Sequence, residues 1–116
     1  MILQPVTFET RSAAIRPGSV PTLDAVASVL QSHAEILELE IQGHSDERGD
    51  DVSNLDLSDQ RALAVQAYLV ARGVDVARIP VQGYGESQPV DLGHNPRAWA
   101  RNRRVDFLIL RTAASP

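Results

Sequence analysis

The chain has no cysteine and no lysine, and no apolar run comes near the roughly 20 residues that cross a bilayer. Without cysteine there is no disulfide, no thiol nucleophile and no cysteine-type zinc site, while the compartment stays open. All 11 basic residues are arginine, the net charge is −4, and no basic stripe follows a predicted helix. Nucleic acid is therefore not an expected partner, and neither is direct insertion into a membrane. No signal peptide precedes Met1-Ile2-Leu3, which is the expectation for a cytosolic chain or for the trimmed domain of an exported one. Neither Gly-x-Gly-x-x-Gly nor a Walker loop is present. Gly83-Tyr84-Gly85 leads to Pro89 rather than into a helix, so no phosphate cradle and no cofactor is expected.

What is present is 116 residues, 43% of them hydrophobic and 22% charged, the make-up of a single globular domain with a real core. That core is expected over about residues 6–110, with a frayed tail at 112–116. The element order reads β-α-β-α-β-(short α)-β. Residues 2–8 form a short strand with Val6 and Phe8 on one face, and Pro21 suits the first turn of a helix. Leu23, Val26, Ala27 and Leu30 recur at i, i+3, i+4 and i+7 and predict an amphipathic helix to about His33. From Ile36 to Gly43 the pattern alternates, with Leu37, Leu39 and Ile41 inward and Glu38, Glu40 and Gln42 outward. A second helix is predicted to start at residues 54–58, with Asp56 and Asp59 near its positive end and Gly73 as its C-cap. Ile79, Val81 and Gly83 mark a third strand. Val105, Phe107 and Ile109 mark a fourth, whose other face Leu108 and Leu110 suggest is partly covered. Alternating rather than uniformly apolar strands predict a two-layer α/β sandwich, a mixed four-stranded sheet with helices on one face and solvent on the other.

Two segments carry chemistry. Gly43-His44-Ser45-Asp46-Glu47-Arg48-Gly49 puts a carboxylate on a tight loop at the end of a strand. Asn54-x-x-Leu57-Ser58-x-x-Arg61-Ala62 puts an arginine one turn into the next helix. At about 100° per residue Arg61 falls in the middle of the arc shared by Leu57, Ala64, Val65, Tyr68 and Leu69. A charge on an apolar stripe needs a partner or a job. Either Asp46 and Arg61 pair with each other, or they face one pocket as a receptor for a zwitterion. In the second case Arg61→Ala is expected to leave the domain folded, or even to stabilise it by taking a charge off an apolar face. His44, Asp46 and Asp50 open a further reading, a metal-dependent hydrolase, but no nucleophile motif accompanies them. A turn histidine accounts for His44 as well, and no metal is assigned. Arg103 and Arg104 suggest either phosphate binding or, with Asn102, a structural tie between the last strand and its neighbouring loops.

These segments are followed in order by Gly83-Tyr84-Gly85-Glu86-x-x-Pro89 and Asn102-Arg103-Arg104-Val105. Together they resemble the OmpA-like C-terminal (OmpA/MotB/Pal) peptidoglycan-binding domain, from about Val6 to Leu110. Asp46-Glu47-Arg48-Gly49, Leu92-Gly93-His94 and the aromatic Trp99 are most similar to the peptidoglycan-associated lipoprotein branch. The acylated cysteine of that branch has no counterpart here, and the loop Asp50-Asp51-Val52-Ser53 lacks the proline and tyrosine often found in the family. The resemblance implies non-catalytic binding of cell-wall peptidoglycan through the diaminopimelate head of its stem peptide. Such a domain anchors the outer membrane, or a membrane complex, to the wall from the periplasm. By motif Asp46 would take the ammonium and Arg61 the carboxylate. Asn54 would cap its helix and touch the ligand, and open N–H groups around Asn54 to Leu57 would receive the same carboxylate. Phe8 or its neighbours would form an apolar wall. Gly43, Asn102, Arg103 and Arg104 would be structural. The lipoprotein branch also engages a Tol-type periplasmic protein, so a protein-interaction module is the alternative reading.

Overall fold

The computed structural model describes residues 6–113. Four strands form one mixed sheet in the order β1-β4-β2-β3. β1 (Val6–Thr7) and β2 (Ile36–Gly43) flank β4 (Arg104–Thr112), both antiparallel to it, and β3 (Val81–Gly83) runs parallel to β2. A parallel pair cannot be joined by a tight turn, and here α2 (Asp51–Ala71) makes the crossover. α1 (Val20–Ser32) sits between β1 and β2 in sequence, and α3 (Pro96–Asn102) leads into β4. This is the predicted α/β architecture.

The core lies between the helices and one face of the sheet. Leu23, Val26, Ala27 and Leu30 of α1 meet Ala62, Val65 and Leu69 of α2 over Val6, Leu39, Ile41 and Val105 of the strands. The periodicity behind α1 is therefore the periodicity of burial. In β2 the alternation holds from Leu39 onward. At its start the register against β4 shifts, and Ile36 packs on the core in place of the predicted Leu37. A bulge reverses which residues face inward, and alternation cannot reveal it. Leu108 and Leu110 are 49% and 47% exposed, so half of each side chain on the outer face of β4 meets solvent.

Two boundaries differ from expectation. α2 begins at Asp51, ahead of the predicted start, because Asp50 caps it: the Asp50 carboxylate accepts from the Ser53 N–H at 2.8 Å and from the Ser53 hydroxyl at 3.0 Å. Asp56 and Asp59 thereby move out of the first turn, where only Asp51 stands at the positive end. β4 runs through Thr112, and the Ala113 N–H donates to the Glu35 carbonyl at 2.7 Å, so residues 112 and 113 are not tail. The first strand is described only from Val6; residues 2–5, like 114–116, lie outside the described residues.

The other end of α2 is as predicted. Gly73 has φ +97° and donates to Val70, while buried Val74 donates back to Leu69, the paired bonds that close a helix on a left-handed glycine. Among the described residues no helix is long and apolar enough to cross a membrane.

Candidate functional site

Beyond Gly43 the chain leaves β2 but stays tied to the sheet end. The His44 N–H donates to the Arg104 carbonyl and the Ser45 N–H to the Gly85 carbonyl, each at 2.9 Å. Asp46 is thus delivered, buried, to the rim of the sheet. Its Oδ1 accepts from the Arg48 N–H at 2.9 Å and Arg48 Nε at 3.2 Å. Its Oδ2 accepts from Arg48 Nη2 at 2.8 Å and Arg103 Nη1 at 3.3 Å. Burial by itself raises the pKa of this carboxyl. The Arg48 guanidinium and backbone N–H, with Arg103 behind them, more than offset that and hold it below the usual carboxylate range.

Arg61 stands about three turns into α2 rather than one, since the helix starts early. It is the largest fully buried side chain, 0% exposed. Nε donates to the Ser12 carbonyl at 2.9 Å, Nη1 to the His44 carbonyl at 3.0 Å and Nη2 to the Glu9 carbonyl at 3.0 Å. A guanidinium has five N–H donors, so one remains on each terminal nitrogen. No carboxylate among the described residues forms an ion pair with it. Burial lowers its pKa to about 10; the nearby Arg103 charge adds to the drop and Asp46 opposes it. Asp46 and Arg61 therefore do not pair with each other. The acid is held by two other arginines and the base by three carbonyls.

Both residues line one cleft of about 150 Å³, and Asn54 and Leu57 line it with them. Thr10, Arg11, Ser45 and Arg48 complete the lining and were not singled out from the sequence. Arg48 had a readable signal, its place two residues after Asp46. Thr10 and Arg11 had none, because the turn that carries them is distant in sequence from the segments after β2 and only the sheet brings it to the cleft. Two expected roles are corrected. Phe8 is fully buried with its ring 5.3 Å beneath the Arg61 guanidinium, so it floors the arginine and does not wall the cleft. Asn54 is not a cap: it lies inside α2, where its N–H bonds to the Asp50 carbonyl at 3.0 Å and its amide reaches Glu86 at 3.4 Å. With the helix starting at Asp51, the N–H groups of residues 54–57 are used within it and are not open to a ligand.

The last block acts as a brace. Asn102 Oδ1 accepts from the Val90 and Asp91 N–H groups at 2.8 and 3.1 Å, and its amide donates to the Asp91 carbonyl at 2.9 Å. Both arginines after it are tied down. Arg103 Nε holds the Phe8 carbonyl at 3.0 Å, and Arg104 Nη2 holds the Gln88 carbonyl at 2.9 Å. Only Arg103 reaches the cleft, through Asp46. His44 is buried and stacked on Tyr84 at 5.5 Å, and neither ring nitrogen has a hydrogen-bond partner among the described residues. Burial, then the charge of Arg104, push its pKa down to about 4 against the pull of Asp106. Its neighbouring acid is Asp106 at 3.8 Å, while Asp50 is spent on the α2 cap. Among the described residues no three His, Cys, Asp or Glu side chains are placed to share a metal ion.

The model of the OmpA family matches residues 7–103. The peptidoglycan-associated lipoprotein of Pseudomonas aeruginosa is 41% identical over 100 residues, which cover 86% of this chain and 58% of that protein. The chain thus spans less than two thirds of the length of the curated relatives it matches first. Among solved structures, the peptidoglycan-associated lipoprotein of Burkholderia pseudomallei superposes with a TM-score of 0.86 at 36% identity, over 90% of this chain and 88% of that one. The cell wall anchor of the type VI secretion system of Pseudomonas aeruginosa superposes with a TM-score of 0.74 at 29% identity, over 90% and 75%. With the mixed sheet, the buried Arg61 and the Asn102 brace already in place, the match over nearly the whole length of the domain makes the conclusion direct: this chain belongs to the OmpA family.

Proposed function

We propose that this domain binds cell-wall peptidoglycan non-covalently through the free head of diaminopimelate in the stem peptide, and holds it without cleaving it. One observation carries the reading. Arg61 is a buried cation without a carboxylate partner among the described residues, on the same small cleft as a buried carboxylate. A cation withdrawn from water and left without a counter-ion is costly, and a ligand carboxylate supplies what the fold leaves out. The two free N–H groups of Arg61 suit a carboxylate, and Asp46 suits an ammonium on the same carbon. The names of the relatives support the same reading, since two are peptidoglycan-associated lipoproteins and one is a cell wall anchor. In a full-length protein the domain would face the periplasm and tie the outer membrane, or a complex in it, to the wall.

The test is retention on purified sacculi together with calorimetric titration of two muropeptides. One carries meso-diaminopimelate and the other carries lysine in its place. Lysine has the ammonium but no adjacent carboxylate, so Arg61 stays without a counter-ion. The lysine peptide is expected to bind at least about tenfold more weakly, roughly 1.4 kcal/mol. Equal affinities would remove Arg61 as the carboxylate clamp, and no binding of either at millimolar concentration would sink the reading as a whole.

A further inference from the structure

The Asp46 carboxylate is already full. An ionised carboxylate has about four acceptor positions, and four donors occupy them. Three of the four belong to Arg48. The fourth, from Arg103, is fixed, because the Arg103 side chain is buried and its Nε is held by the Phe8 carbonyl. Arg48 is the movable partner: its side chain is 40% exposed. Its Nη2 also reaches Thr10 Oγ1 at 3.3 Å, so the guanidinium spans the cleft from the loop after β2 to the turn after β1. It also stacks on Trp99 at 4.4 Å, and Trp99 is itself held by an Nε1–H bond to Glu47 at 2.9 Å.

We propose that Arg48 sits in the seat of the ligand's ammonium, as an internal competitor that must release Asp46 before any ligand is taken. The proposal rests on the peptidoglycan reading and adds a source of selectivity to it. An incoming amine alone exchanges one cation on Asp46 for another and gains little. A head group with ammonium and carboxylate on one carbon makes the same exchange and also supplies the counter-ion that Arg61 lacks. Arg48 therefore filters against simple amines, and it lowers the affinity for the true ligand as the cost of doing so. The stack on Trp99 is already made while Arg48 holds Asp46, so it leaves the guanidinium one partner after release and puts the indole beside any movement of Arg48.

The experiment compares wild type, Arg48→Ala and Arg48→Lys in titrations with a diaminopimelate muropeptide and with cadaverine, a plain diamine. Emission from the single tryptophan is followed in parallel. Arg48→Ala is expected to bind the muropeptide about fivefold or more tightly than wild type, and Arg48→Lys to fall between, since lysine cannot grip with two bonds. Cadaverine should gain measurable binding only in Arg48→Ala. Ligand should change Trp99 emission in wild type and leave it unchanged in Arg48→Ala, where no guanidinium moves. If wild type binds and Arg48→Ala binds equally or more weakly, Arg48 is a ligand contact or a bystander and the proposal falls alone. If wild type does not bind at millimolar concentration, the proposal falls together with the reading beneath it. Because the Arg48 side chain is well exposed, the alanine variant is expected to fold, and a thermal melt verifies that each variant does so.

Discussion

Arg61 is where sequence and structure part most sharply. On a helical wheel it is a stray charge on an apolar face, and removing it looks harmless or helpful. In the fold it ties α2 to the loop after β2 and to the turn after β1, through the carbonyls of His44, Ser12 and Glu9. Arg61→Met preserves most of the volume yet strips the donors from three carbonyls around a buried side chain. Of these only the bond to the His44 carbonyl is fully buried; an acceptor left unpaired there costs about 1–3 kcal/mol, the part-buried Ser12 and Glu9 carbonyls cost less, and relief of the buried charge returns part of that. The expected net loss is about 1–3 kcal/mol in urea unfolding, and unchanged stability would mean that desolvation dominates. His44 has its own signature. Its folded pKa of about 4 lies below the ordinary 6.5, so between these values the unfolded chain takes up a proton that the native state refuses. Stability is then complete above pH 6.5 and declines as the pH falls toward 4. The His44→Phe variant keeps the stack on Tyr84 and should show a flatter profile over that window in urea midpoints measured from pH 7 to 4.

At the scale of elements, α2 is pressed against the ends of two strands, and glycines make that possible. A Cβ at Gly43 would overlap the Ser58 carbonyl of α2, and one at Gly83 would meet the Asp59 and Ser58 side chains. Gly43 ends β2 and Gly83 ends β3, paired across the parallel ladder, so the helix lies directly on the edge from which the site loops depart. Gly43→Ala must push α2 off backbone that cannot yield, and a loss of at least about 3 kcal/mol is expected, enough to unfold a marginal domain. Gly83→Ala meets side chains instead and should cost less. Thermal melts of the two variants order them, and equal costs would show that α2 can slide. The same packing explains how Arg61 comes to lie under the Asp46 loop: the contact of Ser58 with Gly43 sets the helix within one turn of His44.

At the scale of the whole molecule, one sheet carries every part of the site at one end. The turn after β1, the loop after β2 and the first turns of α2 meet there, braced by the residues between α3 and β4. The opposite end, where Ile109 and Leu110 are exposed, contributes nothing to the cleft. A cleft of about 150 Å³ holds a head group and not a glycan chain, so single-site affinity should be modest. Micromolar binding corresponds to about −8 kcal/mol and is the upper end of what so small a contact delivers. Retention on sacculi should accordingly be reversible and should be competed away by soluble muropeptide in excess; retention that soluble muropeptide cannot displace would place the binding surface elsewhere.

Local patterns were enough to order the elements, to place the core face of α1, to find the glycine that closes α2 and to single out Asp46 and Arg61. Each of these depends on residues close in sequence, where the periods of helix and strand and the special conformations of glycine act directly. The start of α2 was missed because Asp50, Ser53 and Asn54 are all capable caps within five residues, and local chemistry does not rank them. Partners were out of reach for a different reason. Arg103 and Asp46 are 57 positions apart, and Arg61 finds its carbonyls as far as 52 positions away. The wheel could show that Arg61 needed a partner. Only the packing of α2 against the strand ends decided that the partners would be carbonyls, that Asp46 would go to Arg48 and Arg103, and that a buried cation would be left facing a cleft.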